Sequence, residues 1–144
     1  MRIIGFNFTK ITAERDKPIN EKLQISSNIE IIKVEQEKEE IVRGKIVLRL
    51  DFEFSIVYKP SISKIKLEGN VIILTEKDES KNMLKKWKSK KIPEEIRLPI
   101  LNLILTKSNL RALQLEEELN LPPHIPLPKI KSKEEKDNNR SYTG

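Results

Sequence analysis

The chain contains no cysteine and only one histidine, His124, among its 144 residues. The lack of cysteine excludes disulfides, zinc–thiolate sites and a cysteine nucleophile. One imidazole is too few for a histidine-rich metal site, although a serine triad with a single histidine is not formally excluded. Because His124 stands between prolines with no second histidine, we interpret it as a surface histidine or as one satisfied by hydrogen bonds. The sequence predicts no metal site and no cofactor.

Long apolar runs and phosphate-loop glycine motifs are also missing. The longest uninterrupted apolar stretches, such as 71–74 and 103–105, are far shorter than the roughly 20 residues of a membrane span. The N-terminus has neither the apolar region nor the cleavage site of a signal peptide, so we expect a cytoplasmic protein without a membrane segment. The four glycines fit neither GxxxxGK nor GxGxxG, and no phosphate-binding loop is predicted.

The excess of positive charge is small. The chain has 28 Lys and Arg against 22 Asp and Glu, a net charge of +6, which does not identify a nucleic-acid-binding protein unless the charges cluster. With 37% hydrophobic and 35% charged residues, the chain fits one globular domain. We assign this domain to residues 1–128, because residues 129–144 carry no periodic apolar signal and are expected to form a disordered charged tail.

Four stretches of alternating apolar and polar residues predict a four-stranded antiparallel sheet within residues 3–76. They cover residues 3–13, 23–34, 46–58 and 65–74. The clearest is 46–58, whose alternation is typical of a long strand with one face on a core and the other in water. Pro60 ends this strand, because proline has no N–H to donate to a neighbouring strand.

Two of these stretches are irregular. In the first, Ile4, Phe6 and Phe8 lie on one face before the pattern shifts phase toward Ile11, which predicts a bulge. The second is either one extended segment or two segments separated by the polar residues 26–28. Residues 35–40, which are mostly glutamate, cannot be buried and are expected to form a solvated hairpin end.

At Asp78 the apolar period changes from 2 to 3.6, which predicts a helix that Asp78 or Ser80 caps and that runs to about residue 90. Its apolar stripe comprises Met83, Leu84 and Trp87. A second helix is predicted from Pro93, because the fixed φ of proline suits the first turn of a helix and the two glutamates that follow favour a helix N-terminus.

The second helix carries two apolar stripes, so it needs two burial partners. The first stripe is expected to face the sheet and comprises Ile96, Ile100, Leu103 and Ile104. The second comprises Leu98, Leu101 and Leu105. The helical period continues through Leu110, Leu113 and Leu119. Because a single chain offers no second partner, we predict that the second stripe is an oligomer interface and that the chain forms a homo-oligomer, a dimer or a tetramer.

Beyond the second helix, four prolines between 122 and 128 fix φ and remove backbone donors, so the connector 121–128 must be extended. We expect this connector to lie along the surface of the domain.

The order of these elements and three short motifs resemble the SecB family of export chaperones. The motifs are the opening strand 3–11 (IIGFNFTKI), the helix start 92–101 (IPEEIRLPIL) with its two prolines, and the stretch 119–128 (LNLPPHIPLP). Together with the element order, the resemblance covers residues 3 to about 128. It implies an α+β fold in which a four-stranded antiparallel sheet is followed by a helical hairpin packed on one face.

SecB chaperones hold unfolded clients in long apolar grooves and pass them to an export ATPase. For this chain, the resemblance implies ATP-independent binding of unfolded or extended apolar polypeptide, as in a holdase that serves protein transport. Aromatic and connector side chains are the expected groove walls. The candidate client-binding residues are Phe52, Phe54, Tyr58, Trp87, Leu121, Ile125 and Leu127. For the phenylalanines, burial in the core is the favoured interpretation, and for Trp87 packing in the core or in a groove is favoured over stacking on a nucleic-acid base.

A different hypothesis is a basic accessory protein that docks on RNA or the ribosome through the lysine-rich residues 81–91 and the tail 129–140. An enzyme finds no support in the sequence. Asp51 and Glu53 share one strand face at about 7 Å, a spacing compatible with acid–base chemistry, but a solvated face that also carries Arg49 explains them equally well. We therefore predict no catalytic residue.

Overall fold

The computed structural model describes residues 1–16, 22–38, 43–60 and 63–132. Within them lie four strands followed by two helices. The strands are β1 (Arg2–Arg15), β2 (Gln24–Gln36), β3 (Lys45–Lys59) and β4 (Ser63–Glu76), and the helices are α1 (Lys77–Trp87) and α2 (Glu94–Glu118). This order confirms the predicted α+β class. Most of the predicted tail lies outside the described residues, as do residues 39 and 40 of the predicted hairpin end.

The strands form one antiparallel sheet in the order β1-β4-β3-β2, so β1 and β2 are its edges. Both helices pack on the same face. At one end of the sheet, Met83 of α1 and Ile100 of α2 pack against Leu50 and the residues around it. At the other end, Ala112 and other residues from the second half of α2 pack against Ile65. The sheet is thereby covered along its length on one side.

The central strand β3 confirms the predicted alternation. Its even-numbered residues from Leu48 to Tyr58 are all buried. On the opposite face, Arg49 Nε donates to Asp51 Oδ1 at 3.1 Å, and Lys66 Nζ lies 3.6 Å from Glu53 Oε2. Asp51 and Glu53 are therefore parts of a solvated, charge-paired strand face.

The edge strand β1 contains two bulges, between Ile3 and Gly5 and between Phe8 and Lys10. The second bulge confirms the predicted shift of phase. The first was not predicted, and it makes the inward assignment of Ile4 wrong: Ile3 pairs with Ile73, whereas Ile4 is 40% exposed. A bulge inserts one unpaired residue, so the inward face passes to its neighbour.

The other edge strand, β2, is continuous, because Asn28 pairs with Ser55 of β3. The alternative of a break at residues 26–28 is thus excluded. A bulge between Ile31 and Lys33 leaves the inserted Ile32 45% exposed.

Helix α1 begins at Lys77 after Glu76, whose side chain makes no capping hydrogen bond. The predicted caps Asp78 and Ser80 are therefore wrong. Asp78 lies in the first turn, where its charge favours the helix dipole. Ser80 is buried, and its hydroxyl donates to the Lys77 carbonyl at 2.7 Å.

Helix α2 confirms the predicted inward stripe in its first half, where Ile96, Ile100 and Ile104 are buried. In the second half, Leu110 is exposed, and residues other than the predicted leucines 110, 113 and 119 are buried. They are Ser108, Ala112, Leu115 and Glu116. Steps of four residues from Ile104 lead to Ser108, Ala112 and Glu116, so the face set by the isoleucines continues through small and polar residues.

The end of α2 explains the short motif at residues 119–122. Asn120 has φ 53°, the Leu121 N–H donates to the Glu116 carbonyl at 2.8 Å, and the Asn120 N–H donates to the Glu117 carbonyl at 3.3 Å. These bonds form a Schellman motif. Arg15 of β1 donates to the Leu119 and Asn120 carbonyls at 3.0 and 2.9 Å. The motif ends the helix and ties it to the sheet.

Gly69 of β4 pairs with Phe8 of β1 and with Phe52 of β3. A Cβ atom added there would collide with the Asn7 carbonyl oxygen and would lie 2.8 Å from the Phe52 ring, whereas a Cβ at Gly5 would meet only Ile72 at 3.4 Å. We expect Gly69→Ala to lower the free energy of unfolding by about 2–3 kcal/mol through overpacking, and the matched Gly5→Ala to change it by less than about 1 kcal/mol. Urea denaturation measures both values. Equal losses in the two variants would contradict the close approach at Gly69.

Candidate functional site

An open cleft of about 490 Å³ lies beside the edge strand β2. Its walls come from β2, from the turn between the helices and from the first turns of α2. The residues that line it are Ile29, Glu30, Ile31, Ile32, Trp87, Lys90, Ile92, Arg97 and Leu101. Its volume falls within the range of about 300–1,000 Å³ that is usual for ligand pockets.

Local backbone geometry builds the cleft. The bulge in β2 places Ile31 and Ile32 next to each other at the cleft, where regular alternation would send one of them to the opposite face. On the helical side, α1 ends at Trp87, and Lys90 adopts the left-handed region with φ 59°. The Lys91 N–H then donates to the Lys86 carbonyl at 3.1 Å. This tight helix end brings Ile92 back to the same wall as Trp87.

The cleft is apolar on its walls and positive at its helical end. Lys90 Nζ lies 4.7 Å from the centroid of the Trp87 ring, a cation–π arrangement. Arg97 also lines the cleft, whereas Glu30 is the only carboxylate among the described residues that line it. The site thus combines apolar burial with a net positive charge.

Strand β2 adds hydrogen-bonding capacity to the cleft. In the described part of the chain it pairs only with β3, so its other side carries backbone N–H and C=O groups without a strand partner. Such an edge accepts an additional strand, whose alternate side chains then point to one face. The arrangement can therefore bind an extended segment through its backbone and take up apolar side chains in the cleft.

The structure does not bring the predicted client-binding residues together. Trp87 lines the cleft. Phe52 belongs to the core at that end of the sheet, and Phe54, Tyr58 and Leu121 are buried in the core at the other end. Of the connector residues, Ile125 is half-buried and Leu127 is exposed, and neither lines the cleft.

The sequence reasoning missed the β2 isoleucines that form one wall of the cleft. The available signal was the doublet Ile31-Ile32, which breaks the alternation of an otherwise regular strand. A doublet of this kind marks a bulge, and bulges occur preferentially at edges and next to functional sites.

The predicted oligomer stripe lies partly on the surface and partly in the cleft. Leu98 and Leu105 are 47% and 42% exposed, and Leu101 between them lines the cleft. The stripe is thus an apolar surface of α2 that continues into the candidate site. Its role as an interface stays a prediction.

A buried polar cluster joins α2, β3 and the connector at the opposite end of the core. His124 Nδ1 lies 2.8 Å from Glu116 Oε1, and His124 Nε2 lies 2.8 Å from Asn109 Oδ1. Each ring nitrogen of His124 thus has a hydrogen-bond partner. The side chains of His124 and Glu116 are almost wholly buried. The interpretation of His124 as a satisfied histidine is confirmed.

Tyr58 completes this cluster. Its hydroxyl donates to Glu116 Oε2 and lies 2.8 Å from the Pro122 carbonyl oxygen. Burial, followed by the hydrogen bond with Glu116 and the negative charge of that carboxylate, raises the pKa of Tyr58 far above its ordinary value of 10. The phenol therefore stays protonated and holds the connector against α2.

Neither helix in the described residues has the length and hydropathy of a membrane-spanning helix. In the same part of the chain, no three histidine, cysteine or acidic side chains are grouped so that they could hold a metal ion.

No protein-family model and no curated protein sequence matches the chain. Among solved structures, the fold is similar to that of Rv1957, a SecB-like chaperone from Mycobacterium tuberculosis in complex with a ChAD peptide from the Rv1956 HigA1 antitoxin. The TM-score is 0.52 at 11% identity, over 90% of this chain and 89% of that chain. At this identity the likeness concerns the fold alone. This likeness agrees with the four-stranded antiparallel sheet followed by two helices in this chain.

The raised pKa of Tyr58 predicts a specific sensitivity to alkali. An unfolded chain releases the phenol proton near pH 10, but the folded chain retains it, so the free energy of unfolding falls as the pH rises above about 10, by up to about 1.4 kcal/mol per pH unit from this group. In Tyr58→Phe this contribution is absent, and the loss of one buried hydrogen bond costs about 1–2 kcal/mol at pH 8.

Urea denaturation of both proteins between pH 8 and 11.5 measures the difference, while other groups such as the lysines contribute equally to both curves. We expect the two stabilities to converge as the pH rises. Curves that remain parallel would show that Tyr58 ionises in the folded protein as freely as in the unfolded one.

Proposed function

We propose that the chain is an ATP-independent chaperone that binds unfolded or extended apolar polypeptide along β2, with apolar side chains of the client in the cleft. The observation that carries this proposal is the open apolar cleft directly beside the unpartnered edge of β2. We assign the activity to the domain 1–128 and treat the tail 129–144 as a separate charged segment.

The binding mode follows from the geometry of strands. A client segment paired with β2 sends every second side chain toward the same face, at a spacing of about 7 Å. Apolar side chains on that face meet Ile29, Ile31 and Trp87 and are removed from water, which supplies roughly 25 cal/mol per Å² of buried apolar area. Backbone pairing does not depend on side-chain identity, so this mode suits many client sequences. It requires neither nucleotide nor metal.

The fold likeness supports the same proposal. The Mycobacterium tuberculosis protein is a SecB-like chaperone in complex with a peptide, and we extend peptide binding to this chain as part of the proposal. A role in protein transport and a cytoplasmic location belong to the proposal as well. The likeness does not favour docking on RNA or the ribosome, which we retain as an outcome that experiments can detect.

We further propose that the chain acts as a homo-oligomer, a dimer or a tetramer, through the stripe of Leu98, Leu101 and Leu105. Two of these leucines are among the most exposed apolar side chains of the helix, and exposed apolar stripes of this kind are typical of interaction surfaces.

The client-binding proposal predicts that Ile32→Asp weakens binding. Ile32 is the inserted residue of the β2 bulge and lines the cleft, so a carboxylate there replaces apolar wall area with a charged group that apolar client side chains would have to desolvate. We expect the affinity for an unfolded client peptide to fall about tenfold, since a buried isoleucine contributes roughly 1.5–3 kcal/mol. The fluorescence of Trp87, the only tryptophan, reports binding directly, and light scattering of an aggregating client without ATP reports holdase activity.

The matched control is Ile4→Asp. Ile4 is the inserted residue of a β1 bulge at the opposite edge of the sheet and has a similar exposure. We expect this variant to bind clients as the wild type does. Equal behaviour of both variants, or a wild type that holds no client, contradicts the proposed site.

The oligomer proposal is tested with Leu98→Lys combined with Leu105→Lys. Both side chains are exposed in the single chain, so the substitutions leave the core intact and place charges in the proposed interface. We expect the molar mass from light scattering to fall to that of the monomer at tens of micromolar protein, with unchanged circular dichroism. A wild type that is already monomeric under these conditions contradicts the proposal.

A further inference from the structure

The positive charge of the chain is concentrated next to the cleft. Residues 77–92, which form α1 and the turn after it, contain seven lysines and two acidic residues, a net charge of +5. The whole chain has a net charge of +6. The rest of the sequence is therefore close to neutral, and α1 with its turn is the main source of positive potential.

Arg49 and Lys66, on the outer face of the sheet, are paired with carboxylates within the molecule. Arg49 forms ion pairs with Glu35, Glu37 and Asp51, and Lys66 lies close to both Glu53 and Glu68. The hydrogen bond from Lys33 to Glu35, together with the charges of Lys33 and Arg49, lowers the pKa of the Glu35 carboxyl below its ordinary value. The charges of Arg49 and Lys66 are thus paired within the chain.

The lysines of residues 77–92 are not paired in this way. None of them forms an ion pair with a carboxylate in the described residues, and the same holds for Arg97 in the first turn of α2. Lys90 and Arg97 are the two bases that line the cleft. Lys90 is fixed there in two ways, by its left-handed backbone in the tight helix end and by its position over the Trp87 ring.

We propose that the cleft selects acidic clients, that is, extended polypeptide segments in which apolar residues are accompanied by aspartate or glutamate. This inference rests on the proposed function and specifies its substrate class. The apolar side chains of the client occupy the wall formed by Ile31 and Trp87, and a client carboxylate pairs with Lys90 and Arg97 at the helical end. The guanidinium group can hold a carboxylate through two parallel hydrogen bonds.

The composition of the cleft favours polypeptide over nucleic acid. Binding of single-stranded nucleic acid relies on several aromatic rings on which successive bases stack. Among the described residues that line the cleft, Trp87 alone is aromatic, and Lys90 lies over its ring. The remaining walls are mostly aliphatic and adjoin an edge strand, which is the surface that an extended peptide requires.

The first test uses three fluorescently labelled peptides with the same apolar residues at alternate positions. Two further positions on the same strand face as the apolar residues are glutamate, glutamine or lysine. We expect the dissociation constants measured by anisotropy to increase in that order, with the acidic peptide bound about fivefold to tenfold more tightly than the neutral one at low salt. The ratio should fall toward about two at 0.5 M salt, because exposed charges are screened.

The second test reverses the charge of the site. Lys90→Glu combined with Arg97→Glu should invert the preference, so that the lysine peptide binds more tightly than the glutamate peptide. The matched control is Lys10→Glu combined with Lys64→Glu, two exposed lysines on β1 and β4. This control changes the net charge by the same amount and should keep the preference for the acidic peptide.

The outcomes separate the inference from the function on which it rests. Equal affinities for the three peptides overturn the inference and leave the chaperone proposal standing. Binding of none of the peptides overturns the chaperone proposal itself. A single-stranded oligonucleotide that displaces the acidic peptide at similar concentration, while the neutral peptide fails to bind, overturns the inference in favour of a general polyanion site.

Discussion

The fold depends on the need to cover one apolar face of the central strands β3 and β4. Alternation along both strands puts their large aliphatic and aromatic side chains on the same side, and leaving that side in water would forgo most of the hydrophobic stabilisation of the domain. The two helices that follow the sheet in the chain supply the cover. Their shared position on one face is thus a consequence of the strand pattern, and the opposite face is free to carry ion pairs.

The polar cluster at the second end of the core follows from the same constraint. Because α2 is oriented by Ile96, Ile100 and Ile104, the continuing face brings Glu116 into the core. A buried carboxylate is stable only with partners that satisfy it. Tyr58 and His124 provide them, and the connector that carries His124 is thereby held against α2. The packing of one helix face thus determines the path of the chain after the helix.

The candidate site lies where the two helices do not fully cover the apolar face of the sheet. The turn between the two helices lies near the edge strand β2. The bulge at Ile32 places an additional apolar side chain in the cleft between β2 and this turn. An edge strand lacks a partner on one side, so the same place offers backbone hydrogen bonds and apolar area. The proposed client binding uses the exposed Ile32 and the outer edge of β2, and the proposed preference for acidic segments uses the exposed bases Lys90 and Arg97.

The sequence by itself determined the class of fold, the long alternating strands, the inward stripe at the start of α2 and the apolar stripe of α1 that includes Trp87, because periodicity reports directly which face of an element is buried. It also indicated one of the bulges of β1. The tertiary structure decided what depends on register and rotation: the exposure of Ile4 and Ile32, the burial of Glu116 in place of Leu110, and the burial of Phe54 and Tyr58 far from Trp87. A bulge or a helix rotation moves whole sets of side chains between faces, and the cleft is assembled from residues distant in sequence. Local sequence patterns contain no information on contacts between residues that are distant in sequence.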